Sequence, residues 1–369
     1  MQAVVKTAPV DGPKGTEIRD CPVPKPGPDE VLIRVAATAI CGTDKHIYHW
    51  DPSIRDSVHP PRIYGHEFCG FVEQFGERAH RENIGVGDYV SAEMHVVCGE
   101  CPQCRTGNGH ICERTKIYGL HEDGAFAQFV KVPASNLIKL APYVPLRVGA
   151  FLDALGNAVH ASQVCDLAGA TVAITGFGPI GAMAAAIAEH SGAATVIVTD
   201  VNDHALESAR RWAASRDLEN FHAFNISDPR DAKTAIEALT EGVGVDMVCE
   251  MSGAAAAVNF ALDVVRMGGF LSLLGLPRGH ALTIDDYTKN VIFKGVTLQG
   301  VIGRRMYATW QRTLALLRSG LDVEWVVQAT FDSLREFHEG MARFDRKEAL
   351  KVVFFPEGEK AAEARLVRR

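Results

Sequence analysis

The sequence predicts an α/β protein in which a doubly wound parallel sheet is joined to a separate β-rich part. Three observations carry that expectation. The first is the loop Gly176-Phe177-Gly178-Pro179-Ile180-Gly181, set between the apolar β-branched run Ala170–Ile174 and the breaker-free, alanine-rich segment 182–190. The second is the alternation of strand and helix signals from about residue 155 onward, which implies a parallel sheet covered by helices. The third is the texture of residues 1 to about 150, rich in Gly, Pro and short β-branched runs and poor in helical periodicity.

In chain order, the segment 1–6 reads as a strand, and Val31–Val35 is a second, entered through the Pro24–Pro28 turn. Tyr89–Ala92 and Ala125–Val130 follow turn signals at Gly87-Asp88 and Asp123-Gly124. Beyond residue 155, further strands are expected at Thr195–Thr199, Val245–Glu250, Gly269–Gly275 and Gly295–Leu298. An amphipathic helix is expected at Trp310–Leu317, and the charged stretch Glu357–Arg369 is expected to fray.

In a strand–loop–helix context each loop glycine has a task. Gly176 allows a tight turn, Gly178 lets the backbone approach a pyrophosphate, and Gly181 lets the helix sit close on the strand. Free amides at the helix start bind phosphate, so the loop reads as a dinucleotide site. Asp200 ends the next strand at about the 20-residue offset of the acid that binds a ribose 2′-hydroxyl, and it would repel a 2′-phosphate. The expected cofactor is NAD rather than NADP.

A chain of 369 residues exceeds one ordinary core, so about two domains are expected. A net charge of -7 argues against binding a nucleic-acid backbone. No apolar run approaches the roughly 20 residues that cross a membrane. The first residues read as a strand rather than an export signal, so the nine cysteines are expected as reduced thiols or metal ligands in the cytoplasm.

Two groups of residues have metal-ligand chemistry. Cys98, Cys101, Cys104 and Cys112 put four thiols into fifteen residues, the donor set of a closed, structural zinc site. Cys41 and His66, with Glu67 or Asp153 as a third donor, have the composition of a catalytic zinc site with an open position. Thr43 and His46 follow Cys41 closely, a hydroxyl and an imidazole with more than one reading. Their plainer readings are a helix N-cap for Thr43 and a solvated surface histidine for His46.

These motifs resemble the medium-chain zinc-dependent alcohol dehydrogenase family along nearly the whole chain. The resemblance rests on Cys41-Gly42-Thr43-Asp44, Gly65-His66-Glu67, the four-cysteine lobe, and the glycine loop with Asp200. It implies a GroES-like catalytic domain over 1–155, completed by 300–369, and a Rossmann NAD-binding domain over 156–299. It implies two zinc ions per subunit, with Cys41, His66 and Glu67 as catalytic ligands, Asp153 beside or on the metal, and Thr43 and His46 as the relay. Cofactor contacts are implied at Ile180, Asp200, Leu274, Gly275, Leu276, Val301 and Ile302, and a homotetramer is the implied assembly.

Within that family, the stretches Ala39–Trp50, Leu155–His160, Val291–Gly295 and Gly303–Trp310 resemble enzymes that oxidise L-threonine at its 3-hydroxyl. Arg304 is the candidate for the substrate carboxylate, because a guanidinium grips it bidentately. The alternatives are a polyol or secondary-alcohol dehydrogenase of the sorbitol or butanediol type, and a non-catalytic nucleotide-binding protein. Two positions depart from the family pattern: Ala205 where an arginine is usual, with His204 or Arg210 as substitutes, and Ile302 where a tyrosine is often found.

Overall fold

A computed structural model describes residues 1–277, 279 and 281–367. The chain divides into two compact units. The first comprises Met1–Ala154, Arg305–Arg318 and Glu324–Arg369, and the second Leu155–Arg304 and Ser319–Val323.

Strand β1 (Gln2–Lys6) of the first unit pairs antiparallel with β2 (Thr16–Asp20). Then come β3 (Glu30–Ala39), helix α1 (Gly42–Tyr48), β4 (Arg62–Ile63), β5 (Phe68–Phe75), β6 (Tyr89–Ala92) and β7 (His95–Val96). The short helix α2 (Pro102–Arg105) lies in the cysteine lobe, which β8 (Lys116–Ile117) closes by pairing with β7. Strands β9 (Phe129–Pro133) and β10 (Leu137–Lys139) and helix α3 (Leu146–Gly149) follow, and α4 (Leu152–Ser162) runs across the division between units. The long strand β3 is the hub: it pairs with β5 and β9, and its far end pairs with a strand from the chain terminus. Its residues are almost all buried, as expected of an apolar run covered on both sides.

The strand expected at Ala125–Val130 starts only at Phe129 and continues to Pro133 as β9. Ala125 and Phe126 donate instead to the carbonyls of Gly65 and Tyr64, at 2.8 and 2.9 Å, and so buttress the segment that carries His66.

The second unit begins with β11 (Thr171–Thr175), α5 (Pro179–His190), β12 (Thr195–Asp200), α6 (Asp203–Ser215), β13 (Phe221–Asn225) and α7 (Pro229–Leu239). It continues with β14 (Val245–Glu250), α8 (Ala255–Val264), β15 (Val265–Leu273) and β16 (Thr297–Gly300). The six strands are parallel in the order β13-β12-β11-β14-β15-β16. The order reverses between β11 and β14, so a crevice opens beyond their carboxyl ends, where ligands bind in doubly wound folds. The parallel sheet and the β-rich unit together give the expected α/β class.

The chain then returns to the first unit with α9 (Ala308–Arg318), β17 (Val327–Phe331), α10 (Phe337–Asp345), β18 (Lys351–Phe354) and α11 (Glu359–Val367). Strand β18 joins β17 to β3, and Phe331, Phe337 and Phe354 stack beneath Phe126 and Tyr64 in one aromatic core. The terminal stretch does not fray over Glu359–Val367. Arg147 holds Glu359 at 2.5 Å, Glu359 N donates to Asp332, and Arg365 pairs with Glu357 at 2.8 Å, so its charges are tethers.

Candidate active site and metal centres

In the first unit the backbone itself creates the first donor cluster. Cys41 ends the connection from β3 and is the N-cap of α1. Its amide donates to Asp44 Oδ2 at 2.8 Å, a capping box in which Asp44 is the third helical residue. Thr43 is therefore inside the first turn and not the N-cap, with Oγ1 3.9 Å from Cys41 Sγ. His66 and Glu67 come from the extended segment leading into β5, and Thr38 Oγ1 of β3 donates to the Glu67 carbonyl at 2.7 Å. One donor atom each of Cys41, His66 and Glu67 lies within 4.8 Å of the others.

Two charged groups, Asp44 and Lys351, flank this cluster in near-complete burial. Asp44 Oδ1 lies 3.6 Å from His66 Nδ1, the carboxylate–histidine arrangement that fixes a ligand ring. Burial opposes a charged His66, but the Cys41 sulfur and the Asp44 carboxylate raise its pKa well above the ordinary value. Lys351 of β18 donates to Glu67 Oε2 at 2.5 Å and to the Ile40 carbonyl at 3.0 Å, and the pair is 2% and 0% exposed. Burial pushes the Glu67 carboxyl up against the attraction of Lys351, while the Glu67 carboxylate holds Lys351 protonated against its own burial.

These residues fit a zinc ion. Glu67 Oε1 is buried with no hydrogen-bond partner, an arrangement that is costly unless a cation completes it. The soft thiolate, imidazole and carboxylate set is that of an open catalytic site. Asp153, at the start of α4, acts electrostatically on both His66 and Glu67.

Asp153 also belongs to a second group that the sequence reading missed, with Glu93 and His95. The buried Glu93 accepts from His95 Nδ1 and N at 2.8 and 3.0 Å, and from Trp310 Nε1 of α9 at 2.8 Å. Asn136 clamps the same segment through the carbonyls of Glu93 and His95. The signal available in the sequence was Glu93-x-His95 next to the cysteine lobe, which shares no spacing with Asp153.

The four sulfurs of Cys98, Cys101, Cys104 and Cys112 also converge within 4.8 Å, and all nine cysteines are free thiols. Amides of Glu100 and Cys101 point at Cys98 Sγ at 3.4 and 3.3 Å, and those of Cys98 and Arg114 at Cys112 Sγ at 3.5 and 3.3 Å. Those donors lower the Cys98 thiol to about 6 and also lower Cys112. Cys104 is pushed up to about 12, by desolvation and then by its sulfur neighbours. Four close sulfurs cannot all ionise without a cation, so this donor set fits a closed zinc site.

In the second unit, the glycine loop joins β11 to α5. Gly176 takes φ +93°, and a Cβ on Gly181 would come within 2.0 Å of the Gly176 carbonyl, so helix and loop touch there. A Cβ on Gly178 would meet nothing within 4 Å, which leaves that face open for a pyrophosphate, and Ile180 follows in the first turn of α5. Asp200 receives the amides of Phe177 and Asn202 at 2.7 and 2.9 Å, which fixes its carboxylate beside the loop. Leu274, Gly275 and Leu276 leave the end of β15, with the Leu274 and Gly275 amides on the Glu250 carbonyl. Val301 N donates to the Leu273 carbonyl at 2.9 Å, and Ile302 is largely exposed. A cavity of about 580 Å³ starts at Gly176 and Asp200 and is floored by Ile226, Ala257 and Phe260. Its cations are Arg230 and Lys233; neither His204 nor Arg210 lines it, and Arg210 is spent on the Ala223 carbonyl. Arg304, 3% exposed, donates to Asn157 Oδ1 at 3.2 Å, and His160 Nδ1 lies 2.9 Å from the Gly303 carbonyl. Two stretches read separately from the sequence thus meet in space.

An open three-donor cluster, a closed four-thiol cluster and a phosphate-binding loop at a sheet's switch point define a zinc- and dinucleotide-dependent oxidoreductase. The chain belongs to the medium-chain zinc-dependent alcohol dehydrogenase family. Residues 27–142 match the alcohol dehydrogenase GroES-like domain, and residues 179–319 match the zinc-binding dehydrogenase domain. An L-threonine 3-dehydrogenase of Caldanaerobacter subterraneus subsp. tengcongensis is 42% identical over 345 residues, 93% of this chain and 96% of that protein. One from Bacillus licheniformis is 40% identical over 96% of this chain and 99% of that protein. Among solved structures, an alcohol dehydrogenase from Thermus sp. ATN1 superposes with a TM-score of 0.83 at 31% identity, over 96% of this chain and 100% of that one.

Proposed function

We propose that this protein oxidises the 3-hydroxyl of L-threonine to 2-amino-3-oxobutanoate, with hydride transfer to NAD. The observation that carries the reading is the open Cys41–His66–Glu67 cluster in a chain similar over nearly its full length to L-threonine 3-dehydrogenases. The identity with those relatives runs through the whole chain, which favours threonine over a polyol.

Cys41, His66 and Glu67 would hold the catalytic zinc, with Asp153 beside it, and the four cysteines the structural one. The catalytic metal supplies Lewis-acid stabilisation of negative charge on the substrate oxygen. Thr43 takes the hydroxyl proton, and His46, half-exposed at the end of α1, passes it to water. Asp44 keeps Cys41 and His66 in their places, and Lys351 occupies one Glu67 oxygen, leaving the other as donor. Glu93 orients His95 next to Asp153. Gly176, Gly178, Ile180, Gly181 and Asp200 bind the cofactor's pyrophosphate and ribose. Leu274, Gly275, Leu276, Val301 and Ile302 line its nicotinamide end, and Arg304, steadied by Asn157, grips the substrate carboxylate. NAD supplies the hydride acceptor.

A homotetramer is part of the same proposal. Strand β16 ends its sheet, with Leu298, Phe293 and Ile302 exposed around it, and such an edge suits a second copy of the chain. Among the described residues no helix is long and apolar enough to cross a membrane, and the nine free thiols suit a reducing, cytoplasmic setting.

The test compares NADH formation by zinc-replete protein on L-threonine, D-threonine, 2,3-butanediol and sorbitol. L-Threonine should lead in kcat/KM by roughly 10²-fold or more. A preference for either polyol overturns the substrate. Arg304→Ala should raise KM for threonine, and an unchanged KM removes Arg304 from the carboxylate role.

A further inference from the structure

His46 lies in the last turn of α1 (Gly42–Tyr48), and the chain beyond the helix folds back toward it. Trp50 takes a left-handed φ of +53°, and the Asp51 amide then donates to the His46 carbonyl at 2.9 Å. Asp51 caps the 3₁₀ turn Pro52–Ile54, its Oδ1 accepting from Ser53 N at 2.8 Å. With one carboxylate oxygen pinned there, the other, Oδ2, stands 3.5 Å from His46 Nδ1. Backbone and side chain therefore both aim this carboxylate at one nitrogen of the ring.

Neighbouring charges are otherwise committed. Lys45 pairs with Asp345 at 2.9 Å, and His49 bridges Asp11 and Asp345 at 2.7 Å each. His338 meets Tyr48 Oη at 3.0 Å, Arg55 donates to the Trp50 carbonyl, and the buried Lys6 to the carbonyls of Val10 and Tyr48. Among the described residues, Asp51 is the carboxylate that faces His46.

We propose that Asp51 is a positioning residue for proton release: it holds the Nδ1–H tautomer of His46, keeps Nε2 as the acceptor, and stabilises the imidazolium formed when the substrate proton arrives. The inference rests on the relay reading of His46. The step balances without a further reactant: the hydroxyl proton reaches Nε2, Nδ1–H stays on Asp51, and the imidazolium loses its extra proton to water. Water reaches both partners, whose side chains are 52% and 41% exposed. The Ser53 amide and hydroxyl, with His46, hold the Asp51 carboxyl below its usual range, so it remains an anion throughout.

The test measures kcat against pH for the zinc-replete wild type, Asp51→Asn, Asp51→Glu, His46→Gln and the double variant. Asparagine keeps an acceptor for Ser53 N, so the turn and the fold persist. For Asp51→Asn, the rising limb of kcat should move roughly half a pH unit to lower pH, the size of an exposed ion pair. Its plateau should fall severalfold with KM for threonine unchanged. Asp51→Glu should restore part of the shift, and in the His46→Gln background Asp51→Asn should do nothing further. If His46→Gln alters the limb while Asp51→Asn leaves it in place, the role of Asp51 is overturned and the relay stands. If His46→Gln leaves the limb unchanged, the relay reading itself fails.

Discussion

The four-cysteine lobe takes every donor from fifteen consecutive residues, whereas the Cys41–His66–Glu67 cluster depends on groups from the whole length of its unit. In the lobe, backbone amides reach the sulfurs from two to three residues away, so a short loop prepares its own site. In the open cluster, Asp44 comes from α1 and Lys351 from β18, and both are buried charges that the surrounding fold must neutralise. The first donor set suits a closed zinc site, which would strengthen the fold when loaded. The second leaves Glu67 Oε1 buried without a hydrogen-bond partner, ready to serve as a metal donor.

That contrast can be broken by substitution. Cys41→Ala should lower kcat/KM for alcohol oxidation about 10³-fold through loss of Lewis-acid stabilisation, while the melting temperature moves by only a few degrees. Cys101→Ala should do the opposite. Its melting temperature should fall by roughly 5–10 °C, and metal analysis should find one zinc per chain with the catalytic ion retained. If Cys101→Ala abolished activity with no change in melting, the division between structural and catalytic sites would not hold.

A smaller effect separates buried charge that has a partner from buried charge that has none. Lys6 is lowered to about 8 by burial, with Asp11 pulling the other way; among the described residues it meets the carbonyls of Val10 and Tyr48 and the Trp50 ring. Below pH 8 Lys6 is charged in both the folded and unfolded states, and the folded state bears the cost of burying it. Between about 8 and 10.5 the folded protein binds fewer protons than the unfolded chain, so stability rises with pH. The wild type should therefore gain on Lys6→Met by roughly 2–3 kcal/mol across that window, the side chain being buried. Chemical denaturation at several pH values reads the difference; a flat difference would mean that Lys6 does not change its charge on unfolding.

Legibility followed the distance along the chain over which each feature is built. The glycine loop with Asp200, and the four cysteines, are local patterns and could be read directly. Glu93 could not, because the Trp310 that fixes it is 217 residues away. Thr43 was open to the N-cap reading because Cys41, a poor capping residue by type, takes that place with Asp44 as its partner. The terminal stretch read as frayed because its charges look solvated; their partners, Arg147 and Asp332, lie on other elements. The Ala205 departure sent attention to residues of α6, whereas the cations beside the cavity, Arg230 and Lys233, come from the following helix.

The pairing of Glu67 with Lys351 has a consequence for synthesis. The two residues are 284 positions apart, so at about 5–20 residues per second the ribosome needs roughly 15–60 s to deliver the second after the first. During that interval β3 lacks its neighbour β18, and Glu67 has no ammonium to face. Thr38 and Ala39, where β3 meets β18, therefore lack their strand partners until Val353 and Phe354 have been made. The donors Cys41, His66 and Glu67 are thus all made long before the ammonium that balances the Glu67 carboxylate.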